Sequence, residues 1–520
     1  MDKVDVLIVG SGAAGSLVAA KLAKAGKKVL ILEGGPERGM SDLYSSQIWS
    51  RKLKWAGPPT ETGGKEPLSV NFGSGWGTGG SAMHHFAVWL RLHAEDFEMK
   101  TRFGRGLDWP MSYDELRPCY DRIQKEVGIS GDAEQEVWRP AGDPYPMPPL
   151  QVFAHGKIIE QGFTKLGLRT SPIPLAINST EYNGRAACVY DGWCDAGCPI
   201  HALANPLAVY LKQARAAGVE VRHHALVGRV LSDAKGERAT GVEYFDEAGQ
   251  RQVQTAEVVV LAAFAFQNPR ILLNSATDKH PRGLANSSDM VGKYMMGHSA
   301  ANVFGLFPDD TQNYLGVNGG QLLCQENYAK DPRKGYLSSS QWLIANALKP
   351  NDLLGIANAR PDLFGDPLHK FLETATKHLG TMTFVGEKLP NADDRLVLSD
   401  RKDAHGLPLA RVTHDFGPDD TQCFDAGMKQ GREIFKAAGA HDVWTGGRVR
   451  MHSLGGVIMG ERREASVTNS YGQTHDVANL FVAGSSLFPT SGAVNPTLTI
   501  HALTLRACDY MIDNWAGLAS

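Results

Sequence analysis

The chain has 520 residues, of which 42% are hydrophobic and 21% are charged, and its formal net charge is -3. This length predicts two or more domains, and the composition is typical of a folded globular protein. Basic and acidic residues are interspersed and no apolar stretch reaches membrane-spanning length, which disfavours nucleic-acid binding and membrane embedding. The N-terminus lacks a signal-peptide pattern, so we expect the chain to carry no export signal of its own.

The first predicted element is a strand that leads into a glycine-rich loop. The apolar run from Val4 to Val9 predicts a buried parallel strand, and the sequence GSGAAG follows it directly at residues 10–15. A helical pattern runs from Ala14 to Ala25, and a second apolar strand, Val29 to Leu32, ends at Glu33. This order of strand, loop, helix, strand and acid predicts a dinucleotide-binding βαβ unit.

Each part of this unit suits the binding of a dinucleotide. Gly10 permits the tight turn, Gly12 lets the backbone approach a pyrophosphate, and Gly15 lets the helix pack closely on the strand. The helix N-terminus, at Ala14, supplies free N–H groups and a partial positive charge. Glu33 stands about 20 residues further on, where an acid binds ribose hydroxyls. The alternative is a glycine turn in an ordinary α/β domain.

The rest of the chain predicts a second domain, followed by a C-terminal segment that belongs to the first domain again. Residues 35–75 are rich in Gly, Pro and Trp, and Ser112 caps a predicted helix. Ala256 to Ala263 predicts another buried strand. Residues 300–445 carry no cofactor motif and are predicted to face the substrate, whereas the C-terminal segment again has strand–loop–helix character. A cofactor domain built from sequence-distant pieces follows.

Three of the seven cysteines fall in one short segment, as Cys188, Cys194 and Cys198, and Pro199 follows the last. The spacing is not that of a zinc knuckle. Closely spaced thiolates that end in Cys-Pro are typical of iron–sulfur ligation, and three ligands favour a 3Fe–4S cluster. A 4Fe–4S cluster would need a fourth, distant ligand. A disulfide with one free thiol, or three unrelated buried cysteines, are the alternatives.

Five further segments, in order, resemble the glucose–methanol–choline (GMC) oxidoreductase family over nearly the whole chain. Phe264, Gly297 and Gly456 depart from the usual family residues. The matching segments are Gly79-Gly80-Ser81 through Arg91, residues 258–263 with Gln267 and Pro269, residues 290–293 with His298, residues 452–460, and residues 480–498.

The resemblance implies an α/β fold, α+β overall, with two domains. A Rossmann-like FAD-binding domain is expected from three separate segments, residues 1–110, 185–300 and 446–520. A substrate-binding domain built on an antiparallel sheet is expected from residues 111–184 and 301–445. The cysteine-rich segment, residues 188–199, then lies at the boundary between the two domains.

The resemblance also implies that His452 and Asn495 face the reactive edge of the flavin. An imidazole with an ordinary pKa of about 6.5 suits the removal of a hydroxyl proton, and an amide can stabilise the developing alkoxide. His84 and His85 lie where some family members attach the flavin covalently, and the alternative is that they merely line the flavin. The residues that the resemblance and the loop assign to FAD are Gly10, Gly12, Ala14, Gly15, Glu33, Gly79, Gly80, Ser81, His84, Val227, Ala263, Gly484, Asn495, Pro496 and Thr497.

The cysteine segment and its flanks, residues 145–150 and 183–185, resemble one bacterial branch of the family, sugar dehydrogenases with an iron–sulfur cluster. This implies FAD-dependent oxidation of a sugar hydroxyl, at C1 of an aldose or C3 of a glucoside, with electrons passed through the cluster to an external acceptor. It also implies a small helper subunit, a cytochrome c acceptor, and a periplasmic location reached by co-export. Without a partner, the expected location is the cytoplasm.

Three other readings remain open. An oxidase that uses O2 would release peroxide, and a non-redox lyase would not reduce its flavin. The cysteine cluster disfavours both, because neither needs a route for single electrons. A non-catalytic flavoprotein with a structural zinc site is the third reading, and the His452–Asn495 pair disfavours it.

Overall fold

The computed structural model describes residues 2–54, 57–68 and 74–519. The strands are β1 Val4–Val9, β2 Val29–Leu32, β3 Glu61–Gly63, β4 Ser171–Pro172, β5 Glu220–Arg222, β6 Leu226–Ser232, β7 Ala239–Phe245, β8 Arg251–Leu261, β9 Met296–Leu306, β10 Leu322–Cys324, β11 Ser340–Ile344, β12 Leu379–Gly386, β13 Arg395–Lys402, β14 Pro408–Thr413, β15 Asp442–Thr445, β16 Val449–Leu454 and β17 Leu480–Val482.

The α-helices range from five to twenty residues, and α1 lies against both α6 and α11. Their bounds are α1 Ala13–Lys24, α2 Gln47–Lys54, α3 Met99–Phe103, α4 Tyr113–Val127, α5 Ala154–Lys165, α6 Tyr210–Ala216, α7 Gln267–Asn274, α8 Pro350–Ala357, α9 Asp366–His378, α10 Pro418–Ala437, α11 Thr497–Asp513 and α12 Trp515–Ala519. In the described ranges, no helix is both long and apolar enough to cross a membrane.

The first sheet contains the predicted dinucleotide-binding unit. Its strand order is β5-β2-β1-β8-β7-β6, and β17, which lies outside this linear order, pairs with β8. The strands β5, β2, β1, β8 and β17 pair in parallel. The strand β7 pairs antiparallel with both β8 and β6. The middle of β1 is fully buried, as expected of a strand covered on both faces. Strands from the N-terminus, the middle and the C-terminus therefore share one sheet.

The second sheet is antiparallel throughout. Its order is β15-β9-β12-β11-β10-β4, and β16 pairs with β9. The helices α5 and α10 pack together, and α10 also contacts β9 and β12. These two sheets confirm the predicted fold class, a Rossmann-like unit with an antiparallel sheet beside it.

Two strands of the antiparallel sheet come from segments that we predict to belong to the FAD-binding domain. The strand β9 begins at Met296 and so crosses the predicted limit at residue 300, and β16 lies inside the segment 446–520. The predicted domain limits stay a prediction, but these strands are shared across them. The two sheets are thus joined through the chain segments that carry His298 and His452.

Candidate active site

A cavity of about 1120 Å³ lies between the two sheets. The carboxyl ends of β1 and β2 line it through Gly10 and Glu33, and the antiparallel sheet lines it through Asn302, Thr383 and His452. Typical ligand pockets measure about 300–1,000 Å³. This cavity therefore has room for a dinucleotide and for a second molecule beside it.

Most residues that we predict to bind FAD line this one cavity. Two do not. Gly15 packs against the backbone of Gly10, and the Gly79 N–H donates to Ser11 Oγ at 3.1 Å. The predicted residues on the cavity wall are Gly10, Gly12, Ala14, Glu33, Gly80, Ser81, His84, Val227, Ala263, Gly484, Asn495, Pro496 and Thr497.

The glycine-rich loop leaves space for a ligand at the N-terminus of α1. Gly10 has a φ of 99°, and a Cβ atom there would lie 2.6 Å from the carbonyl oxygen of Ala262. At Gly12 a Cβ atom would meet only Gly79, at 3.8 Å, so this glycine faces open space. No side chain caps α1, and no acidic residue stands in its first turn. The free N–H groups there suit a phosphate.

Glu33 holds the loop together. Its carboxylate accepts from the Ser11 N–H at 3.0 Å and from the Ser11 hydroxyl at 2.7 Å. It also accepts from the N–H groups of Gly35, at 3.0 Å, and of Gly77, at 3.1 Å. Four donors of the chain thus fix a carboxylate that is 6% exposed. Its contact with a ribose stays a prediction.

A second helix begins at the opposite wall. The helix α11 starts at Thr497, directly after Asn495 and Pro496, and all three residues line the cavity. Gly484, which follows β17, has a φ of 114° and would meet nothing within 4 Å if it carried a Cβ atom. Two helix N-termini and two unobstructed glycines therefore border the space that we predict for FAD.

The two histidines after the Gly-Gly pair differ in their surroundings. The His85 Nε2 lies 2.8 Å from the carbonyl oxygen of Ala204, and its Nδ1 accepts from the Ala87 N–H at 3.2 Å. Burial lowers the pKa of His85 to about 4. Both nitrogens of His85 are thus engaged with the backbone. His84 and His85 both line the cavity, and whether either binds the flavin covalently or merely lines it stays open.

The structure brings His452 and Asn495 together. The amide nitrogen Nδ2 of Asn495 lies 3.3 Å from Nε2 of His452, and both residues line the cavity. The strand β16 has a register shift between Met451 and Leu454, and His452 within it has a φ of 57°. Bulges and left-handed residues of this kind re-aim a side chain and are enriched at functional sites.

The surroundings of His452 favour its neutral form. Burial, followed by the proximity of His298, lowers the pKa of His452 well below its ordinary value. Nδ1 of His452 lies 2.8 Å from Nδ1 of His298. A neutral imidazole that reaches the cavity through Nε2 can accept a proton there.

The sequence analysis missed the polar side chains of the antiparallel sheet. The hydroxyl of Thr383 lies 2.7 Å from Oδ1 of Asn302 and 3.0 Å from Oδ1 of Asn346. Gln341 donates to Oδ1 of Asn495 at 3.4 Å. The signal was a polar residue inside an otherwise apolar strand, as with Asn302 in the buried run of β9, but the sequence alone does not reveal which face such a residue occupies.

Of the three clustered cysteines, Cys194 adjoins the cavity, because its neighbour Asp195 is part of the cavity wall. The N–H of Tyr190 donates to Sγ of Cys188 at 3.3 Å, and the N–H of Leu203 donates to Sγ of Cys198 at 3.4 Å.

Burial raises the pKa of each of these thiols, that of Cys188 to about 11. Over the described ranges, no group of three or more His, Cys, Asp or Glu side chains is close enough together to hold a metal ion. N–H donors at sulfur suit an iron–sulfur cluster. The N–H groups at the sulfur atoms therefore fit such a cluster, whereas the positions of the side chains in space do not form a metal site.

Comparison with known proteins identifies the family. The family described as GMC oxidoreductase matches residues 4–300 and 390–504. The chain is a GMC oxidoreductase. The fructose dehydrogenase large subunit of Gluconobacter japonicus is 31% identical over 98% of this chain and 98% of its own.

A further relative supports this assignment, and a solved structure supports the fold. The 2-methyl-1,2-propanediol dehydrogenase of Mycolicibacterium austroafricanum is 34% identical over 98% of this chain and 95% of its own. A formate oxidase variant of Aspergillus oryzae has a TM-score of 0.69 at 14% identity and matches 99% of both chains. At that identity, the structural similarity shows the fold alone.

As a GMC oxidoreductase, the protein is an FAD-dependent enzyme that acts on CH–OH groups. The residues present fit FAD. The open Gly12, the uncapped α1 and the wall of predicted FAD contacts provide space and donors for a dinucleotide. Bound FAD would supply the two-electron acceptor for the hydride.

Proposed function

We propose that this GMC oxidoreductase is a dehydrogenase that oxidises a secondary hydroxyl group of a sugar or glycoside. The observation that carries the proposal is the position of the His452–Asn495 pair. These side chains meet at 3.3 Å on the wall of a cavity that both sheets line. The glycine loop and the helix N-termini form part of this wall, and polar side chains of the antiparallel sheet, such as Asn302 and Thr383, form another part.

The chemistry of this pair suits the oxidation of an alcohol. His452 accepts the hydroxyl proton at Nε2, because burial keeps the imidazole neutral and ready to take a proton. Asn495 donates from Nδ2 to the substrate oxygen and stabilises the negative charge that develops there. The antiparallel sheet holds the carbon that loses hydride towards the flavin side of the cavity.

The wall of the substrate side favours an uncharged, polyhydroxylated molecule. Asn302, Asn346 and Thr383 offer neutral amide and hydroxyl groups. The ammonium of Lys349, which also lines the cavity, pairs with Asp195 at 3.6 Å and Asp352 at 3.4 Å. The charge on Lys349 is therefore compensated and does not by itself select an acidic substrate. Arg450 of β16 also lines the cavity, and it pairs with Glu66.

The experiment is an anaerobic absorption spectrum of the holoenzyme before and after glucose, fructose or methyl glucoside is added. Bleaching of the flavin bands by a sugar supports the proposal. Methyl glucoside is blocked at C1, so its oxidation excludes a strict C1 enzyme, and its failure beside a reactive glucose favours C1; analysis of the keto-sugar product then shows whether C3 is the position oxidised. If simple alcohols bleach the flavin and no sugar does, the proposed substrate class is wrong. Peroxide formed in air without another acceptor would indicate an oxidase.

For the electron acceptor, the proposal includes an iron–sulfur cluster held by Cys188, Cys194 and Cys198. It is supported by the N–H donors at two of the sulfur atoms and by the neighbouring Asp195 on the cavity wall. When bound, such a cluster passes electrons singly, which suits a cytochrome acceptor. A 3Fe–4S type matches three ligands.

Cys194→Ser tests this part, with Cys119→Ser, a buried cysteine of α4, as the matched control. We expect Cys194→Ser to lose iron and sulfide and to reduce cytochrome c more slowly, while sugar still bleaches its flavin. Equal iron content in the two variants would exclude Cys194 as a ligand, equal cytochrome reduction would exclude the cluster as the electron route, and no iron in the wild-type enzyme would rule the cluster out.

The proposal extends to a small helper subunit and to a periplasmic location reached with it. Its support is the similarity to a relative whose name describes a large subunit. Co-purification from the native organism, followed by mass spectrometry and cell fractionation, tests it. A chain found alone in the cytoplasmic fraction would contradict it.

A further inference from the structure

His298 is a fully buried histidine of β9 that does not reach the cavity wall. Its Nε2 lies 2.9 Å from the carbonyl oxygen of Gly492 and 3.2 Å from that of Ser491. A carbonyl oxygen can only accept a hydrogen bond, so Nε2 carries the proton. Burial lowers the pKa of His298 to about 4, so the ring is neutral. The other nitrogen, Nδ1, must therefore be an acceptor.

The protonation of His298 determines that of His452. The two Nδ1 atoms lie 2.8 Å apart, and since Nδ1 of His298 accepts, Nδ1 of His452 must donate. A neutral imidazole carries one N–H, so Nε2 of His452 has a free lone pair. The group nearest to that lone pair is Nδ2 of Asn495, at 3.3 Å, which is a donor. Both neighbours of His452 thus select the same tautomer.

The same direction of donation continues on the far side of Asn495. Oδ1 of Asn495 accepts from Nε2 of Gln341 at 3.4 Å, and Oε1 of Gln341 accepts from Nε2 of Gln325 at 2.9 Å. Oε1 of Gln325 lies 3.3 Å from Nε2 of His93. Gln325 and Gln341 are 2% and 1% exposed, so water does not compete for these bonds. The network is consistent from one end to the other.

The charged groups around His298 are themselves buried and paired. Asp96 raises the pKa of His298, but burial outweighs it. The ammonium of Lys330 lies 3.5 Å from Oδ1 of Asp96 and 2.6 Å from Oε2 of Glu387. A second buried ionic cluster lies on the segments that contact Ser491 and consists of Lys388, Asp394 and Asp420.

We infer that His298 is a positioning residue, which fixes His452 in the tautomer whose Nε2 faces the substrate without a proton. The loop carbonyls of Ser491 and Gly492 require the proton of His298 to be on Nε2. Nδ1 of His298 then accepts from Nδ1 of His452, which requires the proton of His452 to be on Nδ1. This inference rests on the proposed role of His452 as the base. Without His298, the tautomer with the proton on Nε2 becomes accessible, and in that form His452 cannot accept the hydroxyl proton.

Two substitutions of His298 separate this role from simple packing. His298→Gln keeps an acceptor for His452 and a donor for the loop carbonyls, whereas His298→Leu keeps the volume and removes both. Outer-shell partners that orient metal-binding histidines are worth about 10–100-fold in activity, and we take the same range for His298. We expect that loss in kcat for His298→Leu, with KM and flavin content close to wild type but a lower melting temperature, since buried polar groups lose their partner. For His298→Gln we expect recovery to near wild-type kcat. Equal impairment of the two variants, or full kcat in His298→Leu, would overturn the inference.

A second measurement reports the tautomer directly and does not depend on turnover. Nitrogen NMR of holoenzyme labelled only at histidine reports which ring nitrogen carries a proton. The His452 signals are identified by their loss in His452→Asn. The expected result is a protonated Nδ1 and an unprotonated Nε2, and a proton on Nε2 would refute the inference. If no sugar or alcohol is oxidised but this tautomer is found, the proposed function fails while the role of His298 stands.

Discussion

The two ends of the cavity are built in different ways. At the dinucleotide end, the chain uses consecutive residues of one βαβ unit and presents backbone groups, with Gly10 and Gly12 providing space and Glu33 fixing the turn. At the substrate end, the chain uses side chains from strands far apart in sequence, such as Asn302, Thr383 and His452. Binding at the dinucleotide end depends on glycines that leave space for the ligand, whereas the chemistry at the substrate end depends on which side chains are present.

This difference determines how each end can fail. A Cβ atom added to the loop removes space that no side-chain movement restores, because the obstacle at Gly10 is the backbone of Ala262. A side chain lost from the substrate end leaves the fold in place and removes a donor or a base. Substitutions at the first end should therefore release flavin, whereas substitutions at the second should keep flavin and change kinetics.

The largest effect is expected for His452→Ala. Loss of a positioned general base typically costs about 10²–10⁴-fold in rate, so kcat should fall by that factor while the flavin stays bound. Steady-state kinetics and flavin absorbance measure both quantities. His369→Ala, at an exposed histidine of α9, is the control and should behave as wild type. Normal turnover by a fully flavinated His452→Ala enzyme would remove His452 from the mechanism.

The next effect is expected for Gly10→Ala. A left-handed conformation costs a non-glycine residue about 1–3 kcal/mol, and the new Cβ atom also meets Ala262 at 2.6 Å. We expect a lower melting temperature and loss of flavin, measured by differential scanning fluorimetry and absorbance.

Gly26→Ala is the matched control for Gly10→Ala. Gly26 also has a positive φ, of 80°, but a Cβ atom there would meet nothing within 4 Å. This variant should lose some stability and keep its flavin. Equal flavin loss in both variants would show that strain, and not the space in the loop, governs binding.

A smaller effect is expected for Thr383→Val. The hydroxyl of Thr383 orders the amides of Asn302 and Asn346, and one hydrogen bond contributes about 0.5–1.5 kcal/mol, which corresponds to about 2- to 12-fold in KM. Flavin content should not change. Thr413→Val, at an exposed threonine of β14, is the control. An unchanged KM for every substrate tested would place the substrate away from this part of the wall.

The smallest effect concerns pH. Burial lowers the pKa of His452, so its base form persists as the pH falls through the ordinary histidine value of about 6.5. The acidic limb of kcat/KM should therefore lie below pH 6.5. A profile of kcat/KM against pH for the wild-type enzyme measures it. An acidic limb above pH 6.5 in the wild-type profile would mean that a different group, with a raised pKa, controls the reaction.

Local sequence was sufficient for the dinucleotide end. The strand β1, the turn at Gly10 and the start of α1 follow from the order of apolar and glycine residues, because each needs only its neighbours in the chain. The fold class and the family could also be predicted, since the matching segments occur in order. The roles of His452, Asn495 and the three cysteines remain predictions, although His452 and Asn495 do meet in space.

The tertiary structure alone decided how the substrate end is assembled. Nothing near His298 in the sequence indicates that its Nδ1 meets His452 at 2.8 Å, since the contact requires β9 and β16 to pair across 154 positions of the chain. The same holds for Gln341 beside Asn495. A local motif encodes backbone geometry, which neighbouring residues determine, whereas side-chain contacts depend on strand register, which only the packed core fixes.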